Sequence, residues 1–196
     1  MTVDLYKPVP ASELSRTPES ALARGLAVVE FDAYYDQAQQ LVTEIAEFAR
    51  QLDGSLPLRD TGSPRRVMPM EDRDVRRMNM YGHRIAGILL PLTGVHVREV
   101  IRGRFIAFDN AGDETPSHTD IQLEDDHELT VGMDLVGDGV LKTWSYTHTS
   151  GIGITTRTPV LLRPGTTIVQ RNRTPVEHEV QSQSAGRYVG IWDLAA

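Results

Sequence analysis

Apolar and polar positions divide the chain into a helical first half and a strand-rich second half. Leu26–Phe31 is a short apolar run with β-branched residues at its centre and predicts a strand. Asp32 then offers a helix N-cap. Tyr35, Ala38, Leu41, Val42, Ile45, Phe48, Ala49 and Leu52 recur in steps of three and four, the signature of a helix with one buried stripe. Gly54 predicts its stop. Residues 54–70 hold three prolines and two glycines and read as a long loop, while the polar, Pro- and Ser-containing residues 1–20 read as an irregular arm. A second helix is predicted from Asp72 on the period of Val75, Met78, Ile85, Ile88, Leu89 and Leu92, closed by Pro91 and Gly94.

After Val95 the period shortens. Val95–Ile101, Arg104–Phe108, Leu129–Val136, Val140–His148, Ile152–Leu162, Thr166–Gln170, Val176–Val180 and Tyr188–Trp192 read as eight short strands separated by turn residues. Helices followed by a β body predict an α+β, mainly β fold: a sandwich or barrel with the helices packed on one sheet. No linker separates the halves, so a single domain over 1–196 is expected, with 1–94 supporting 95–196. The 196 residues suffice for a full core, so neither disulfides nor a structural metal is needed.

The chain has no cysteine, which excludes a thiolate zinc site, an iron–sulfur cluster and a cysteine nucleophile. With 27 acidic against 20 basic side chains the net charge is −7, which disfavours nucleic acid as a partner. The apolar runs are too short to span a bilayer and the N-terminus shows no leader, so a cytoplasmic protein without membrane contact is expected. Two of the six histidines have informative surroundings. In Pro116-Ser117-His118-Thr119-Asp120, an extended chain puts His118 and Asp120 on one side. His178, in Thr174–Val180, enters a predicted strand after a turn. Two imidazoles and one carboxylate on one face of a metal leave the opposite face open, as a non-haem Fe(II) that binds a co-substrate and O₂ requires.

These residues and their order resemble the Fe(II)/2-oxoglutarate-dependent oxygenases, in their prolyl-hydroxylase-like branch. The H-x-D triplet at 118–120 is followed by the Gly-rich turn Gly137-Asp138-Gly139, the turn Arg163-Pro164-Gly165 and its strand, the distal His178, and Arg187 nine residues on in Gly186–Trp192. The resemblance is good over Val95–Leu194 and looser before it. It implies a double-stranded β-helix, or jelly roll, with the metal in the open end of the barrel. It assigns His118, Asp120 and His178 as Fe(II) ligands, and Arg187 as the partner of the distal carboxylate of 2-oxoglutarate. A guanidinium fork suits that carboxylate. Many such proteins carry Ser or Thr two positions after the Arg. Here that position is Val189, so a second donor is sought among Arg102, Arg104, Thr143 and Tyr146. An intact triad carboxylate implies an oxygenase outcome rather than halogenation. The implied reaction converts 2-oxoglutarate and O₂ to succinate and CO₂ while an unactivated C–H bond is oxidised. The expected substrate is a small molecule such as an amino acid or biosynthetic intermediate. The alternatives are a peptide or protein side chain, and a cupin-type metal protein without this chemistry.

Several other features are read as structural first. Glu124–Glu128 is an acidic loop, either a solvated turn or an attractor for a cationic substrate. Arg65, Arg66, Arg73, Arg76 and Arg77 read as a solvated face with ion pairs, or as a catch for a substrate anion. Trp144 and Tyr146 are expected in the core or the co-substrate wall, and Trp192 in packing. His83 and His96 are read as structural or surface residues, with His127 and His148 as remote candidates for substrate contact. Asn110–Thr115 is read as an entrance loop.

Overall fold

Hydrogen-bonded pairing sorts the strands into two sheets that face each other across a cavity. The structure is a computed structural model that describes residues 18–30, 38–55, 65–118, 128–148, 152–156, 159–174 and 176–196, with backbone alone over 143–148 and 152–156. In chain order the elements are α1 (Pro18–Leu22), β1 (Leu26–Glu30), α2 (Ala38–Ser55), β2 (Arg66–Val67), α3 (Asp72–Thr93), β3 (Glu99–Phe108), β4 (Glu114–His118), β5 (Leu129–Val136), β6 (Gly139–His148), β7 (Ile152–Thr156), β8 (Val160–Leu162), β9 (Thr166–Arg171), β10 (His178–Ser182) and β11 (Arg187–Ala195). The larger sheet runs β1-β9-β5-β11-β3-β2 and the smaller β4-β10-β6-β7, with β8 also on β6. Every strand pair is antiparallel. This is the expected α+β, mainly β jelly roll.

The two faces of β11 explain the layering. Gly190, Trp192 and Leu194 turn to the helices, while Arg187, Val189 and Ile191 line a cavity between the sheets. Trp192 is fully buried and its indole N–H donates to the Met78 carbonyl of α3 at 2.9 Å. Burying so large a ring contributes on the order of 5 kcal/mol at ~25 cal/mol per Å². Glycines make room for it. A Cβ at Gly82 of α3 would lie 2.7 Å from the indole, one at Gly103 of β3 3.1 Å, and one at Gly190 2.5 Å. The principal hydrophobic cluster joins the stripes of α2 and α3 to this outer face through Leu41, Ile45, Phe48, Met78, Ile85, Phe105, Val131 and Met133. No described helix is long and apolar enough to cross a membrane.

Sequence and structure differ in several places. The arm contains α1, whose Leu22 is buried in the core. The N-cap assigned to Asp32, and Tyr35, lie outside the described residues, and α2 runs past Gly54 to Ser55. Pro91 lies inside α3 rather than closing it. It occupies the last turn, and the carbonyl its missing N–H leaves unbonded is that of exposed Gly87, open to water. The reversal comes at Gly94, whose φ of 69° favours glycine. Val95–Ile101 and Arg104–Phe108 fuse into the single strand β3, which starts only at Glu99. Ile152–Leu162 divides into β7 and β8. Strands β2 and β4 form in stretches read as loops. β4 is polar and contains Pro116, which an edge strand tolerates.

The two α3 glycines should therefore answer oppositely to alanine. A Cβ at Gly87 meets nothing within 4 Å, whereas at Gly82 it strikes Trp192 and Val100. Gly87→Ala is expected to stabilise by about 0.5–1 kcal/mol. Gly82→Ala should destabilise by about 1–3 kcal/mol. Urea-unfolding midpoints check both, and equal effects would contradict the packing described.

Candidate active site

Strand registers form the cavity wall. Gln170, Thr130, Asp193 and Arg102 share one rung across β9, β5, β11 and β3. Ile168, Gly132, Ile191 and Arg104 share the second rung in from it. Asp134, Val189 and Ile106 lie two residues further along, and Arg187 stands opposite Phe108 near the far end. The wall thus has a polar end, an apolar middle and a charged end. The smaller sheet faces it with Thr115, His118, His178 and Val180, enclosing about 230 Å³.

The register of β4 against β10 sets His118 directly opposite His178. Their ring centroids are 4.3 Å apart, with the planes tilted by 48°. Each Nδ1 lies within hydrogen-bond distance of the carbonyl two residues before it, Pro116 at 2.7 Å and Val176 at 3.0 Å. A carbonyl only accepts, so each Nδ1 carries a proton, and in the neutral form of each ring the lone pair is on Nε2. A hydrogen bond of this kind fixes the ring so that Nε2 is the atom that can bind a metal. Ser117 Oγ donates to Glu177 across the same pair of strands at 2.6 Å. Asp120, the third ligand implied by the resemblance, lies outside the described residues. Among the described residues no group of three His, Asp or Glu side chains converges.

Arg187 lies in the same cavity and is 1% exposed. Its Nε and Nη2 both donate to Asp134 Oδ1, at 2.6 and 2.5 Å, and Cζ sits 4.8 Å from the centre of the Phe108 ring. Its Nη1 is buried with no hydrogen-bond partner among the described residues. Burial pushes the Asp134 carboxyl up to about 6 against the pull of Arg187, with Asp138 adding to the rise. Gly139 opens β6 so close to the guanidinium that a Cβ there would stand 2.8 Å from Cζ.

The second carboxylate donor sought in the sequence is not found beside Arg187 among the described side chains. Arg102 donates to Asp193 Oδ2 at 2.9 and 2.7 Å, and Arg104 donates to the same oxygen. Asp193 stands six residues from Arg187 along β11, about 20 Å of strand. Thr143 is the β6 partner of His178, and Tyr146 pairs with Ile154 of β7, but the side chains of both, and of Trp144, lie outside the described set. Arg66 is taken up by Asp53 at 2.5 Å and Asp109 at 2.8 Å. Tyr188 also donates to Asp53, at 2.8 Å, and burial first, then that bond, pushes its hydroxyl up to about 12. Arg73 pairs with Glu71 and Asp74, and Arg77 stacks 4.3 Å from the Phe48 ring centre. Arg65 lines the cavity. His83 and His96 are exposed, and neither lines the cavity. Residues 124–127 of the acidic loop, His127 among them, lie outside the described residues, as does the His148 side chain.

Two buried polar residues of the cavity were not anticipated, Asp134 and Gln170, nor was Asp193, the buried partner of Arg102 and Arg104. Gln170 is 1% exposed, and its Nε2 finds no partner among the described residues. A signal for Asp134 existed: in Leu129–Val136 the positions Thr130, Gly132 and Asp134 alternate with Leu, Val, Met and Leu, marking a polar strand face.

No family model and no curated protein matches the chain. Solved structures do. A 2OG-Fe(II) oxygenase-family oxidoreductase from Burkholderia pseudomallei is similar at TM-score 0.58 and 15% identity, over 99% of this chain and 95% of that one. A Pseudomonas putida prolyl-4-hydroxylase is similar at 0.55 and 15%, over 94% and 96%. A Trichoplax adhaerens prolyl hydroxylase, in complex with a hypoxia inducible factor peptide fragment, is similar at 0.59 and 13%, over 94% and 90%. The fold is that of the 2OG-Fe(II) oxygenases. The donor set suits the group these names imply. Two imidazoles whose Nδ1 atoms are tied to carbonyls suit a metal through Nε2, and a buried cation keeps one donor without a partner among the described residues, which suits an anion.

The raised Asp134 pKa has a measurable consequence. The folded chain holds this proton more tightly than the unfolded chain, so the group's stabilising contribution is full below about pH 4. It is lost as pH rises through about 6. Asp134→Asn lacks that component. The difference in urea midpoint, wild type minus variant, is expected to fall from pH 4.5 to pH 7.5, and a constant difference would contradict the assignment.

Proposed function

We propose that the protein is an Fe(II)/2-oxoglutarate-dependent oxygenase that oxidises a C–H bond of a small molecule. The observation that carries this reading is the convergence on one cavity of two facing imidazoles, each with Nδ1 tied to a carbonyl, and a buried guanidinium whose Nη1 has no partner among the described residues. In this reading His118, Asp120 and His178 hold Fe(II), and Arg187 holds the far carboxylate of 2-oxoglutarate. The bound metal supplies an oxidation in which 2-oxoglutarate and O₂ become succinate and CO₂ as the substrate C–H bond is oxidised.

The chain's own residues bind and orient. Gly139 is the β10-register partner of Ser182, four residues from His178, so the floor under Arg187 lies about 13 Å of strand from the metal end. A five-carbon diacid, lengthened by a metal bond at one end and a hydrogen bond to a long Arg side chain at the other, spans such an interval. Ile106, Ile168, Val189 and Ile191 give it an apolar sleeve. A cavity of about 230 Å³ is on the scale of small molecules, which supports a small substrate. A side chain inserted from a peptide is the second reading, favoured by the peptide held in the Trichoplax neighbour.

Purified protein given Fe(II), ascorbate and 2-oxoglutarate is expected to form succinate. A cupin-type metal protein would form none. His118→Ala and His178→Ala should abolish Fe(II) binding and His96→Ala should not, measured by metal content after desalting; equal loss in all three would refute the ligand choice. Arg187→Lys keeps a charge beside Asp134 but loses the fork, and should weaken 2-oxoglutarate binding roughly tenfold. Unchanged affinity would remove the co-substrate assignment.

A further inference from the structure

The Arg187–Asp134 pair is an expensive way to hold two strands together. Both side chains are 1% exposed. A buried ion pair is often no more stable than apolar residues of similar volume, because desolvation offsets the attraction. The neighbours are otherwise apolar on this part of the wall: Val189 and Ile106 share the rung of Asp134, and Phe108 stands opposite Arg187. The pair's geometry is also one-sided. Nε and Nη2 both go to a single oxygen, Asp134 Oδ1, so the carboxylate grips one edge of the guanidinium plane. Nη1, at the other edge, is left buried without a partner among the described residues. Gly139 packs against Cζ, Nε and Nη2 at 2.8 to 3.0 Å, measured to the Cβ it lacks, and Cζ lies 4.8 Å from the centre of the Phe108 ring. The guanidinium is thus held by Asp134 along one edge and packed by Gly139 and Phe108, with one donor left over.

We propose that Asp134 is a positioning residue: it grips one edge of Arg187, a residue of the cavity wall, and leaves Nη1 as the donor for the distal carboxylate of 2-oxoglutarate. The inference rests on the functional reading above and deepens it. It also bears on Val189, the position where Ser or Thr was sought: fixing the donor that is there imposes an orientation on the carboxylate. The charged groups facing Asp134 are Arg187 of β11 and Asp138 of the turn after β5. With Asp134 ionised, Arg187 and Asp134 together are neutral, so the pair favours a directed hydrogen bond over a diffuse positive field.

The test is calorimetric titration of 2-oxoglutarate into protein loaded with Mn(II), a readout independent of turnover. Asp134→Ala removes the grip and should weaken binding about tenfold, the scale of one charge-assisted hydrogen bond. Asp134→Asn keeps an oxygen acceptor for Nε and Nη2 and should restore affinity to within about threefold of wild type. Rescue by the amide separates orientation from mere charge balance. Gly139→Ala is the second variant, should Asp134→Ala fold poorly. Its Cβ would stand 2.8–3.0 Å from Cζ, Nε and Nη2, so it displaces the guanidinium and should also cost about tenfold. Asp134→Ala or Gly139→Ala binding 2-oxoglutarate as tightly as wild type, or tighter, would overturn the inference while leaving the functional reading intact. Absence of binding by wild type would overturn both.

Discussion

The register between β4 and β10 is the constraint on which the site depends. It puts His118 opposite His178 at the point where the smaller sheet opens. A slip of one residue would send one ring to the other face of the sheet and separate the pair. Local contacts hold the register. Ser117 bonds Glu177 beside the histidines, and Lys142 bonds Glu179 at 2.8 Å on the β6 side. The pairing is irregular between His178 and Val180, so the ladder on the β4 side is not a uniform template. Side-chain bonds on both flanks of β10 therefore matter more here than in a regular ladder.

The larger sheet meets this pair with one strand that serves two layers. β11 turns Trp192 and Leu194 into the helical core and Arg187, Val189 and Ile191 into the cavity. Seating Trp192 under three glycines and bonding it to Met78 fixes where β11 lies, and so where Arg187 reaches. The N-terminal helices thus contribute to the site without lining it. The same strand carries Asp193, with Arg102 and Arg104 around it, at the opposite end from Arg187. The cavity wall is therefore polar at both ends and apolar between.

Much of the fold was legible because its helices bury one apolar stripe each and its strands read as short apolar runs between turns. Leu129–Val136 matches β5 end to end, and the apolar stripes of α2 and α3 are the ones that meet the sheet. What failed to show was structure without an apolar pattern. Glu114–His118 is a strand by pairing alone: its residues are polar, its Pro116 is tolerated at an edge, and its partner lies 60 residues away. The two glycines that weakened the α3 assignment have different meanings, one being room for Trp192 and the other an exposed turn under Pro91. Of the site, His118, His178 and Arg187 stand in one cavity. Asp134, Gln170 and Asp193 were missed because a buried polar residue in a strand declares itself only when the opposing wall is known. Arg102 and Arg104, sought as donors beside Arg187, are tied to an aspartate that no spacing along the chain would have paired with them.

The central claim is that one metal ion and one 2-oxoglutarate share this cavity in a fixed orientation. Anomalous diffraction from crystals grown with Mn(II) and 2-oxoglutarate addresses it most directly. The account predicts a single strong peak within bonding distance of both Nε2 atoms, His118 and His178, and a diacid running from that peak to Nη1 of Arg187. A metal peak bonded to neither ring, or a diacid whose free carboxylate points away from Arg187, would contradict it.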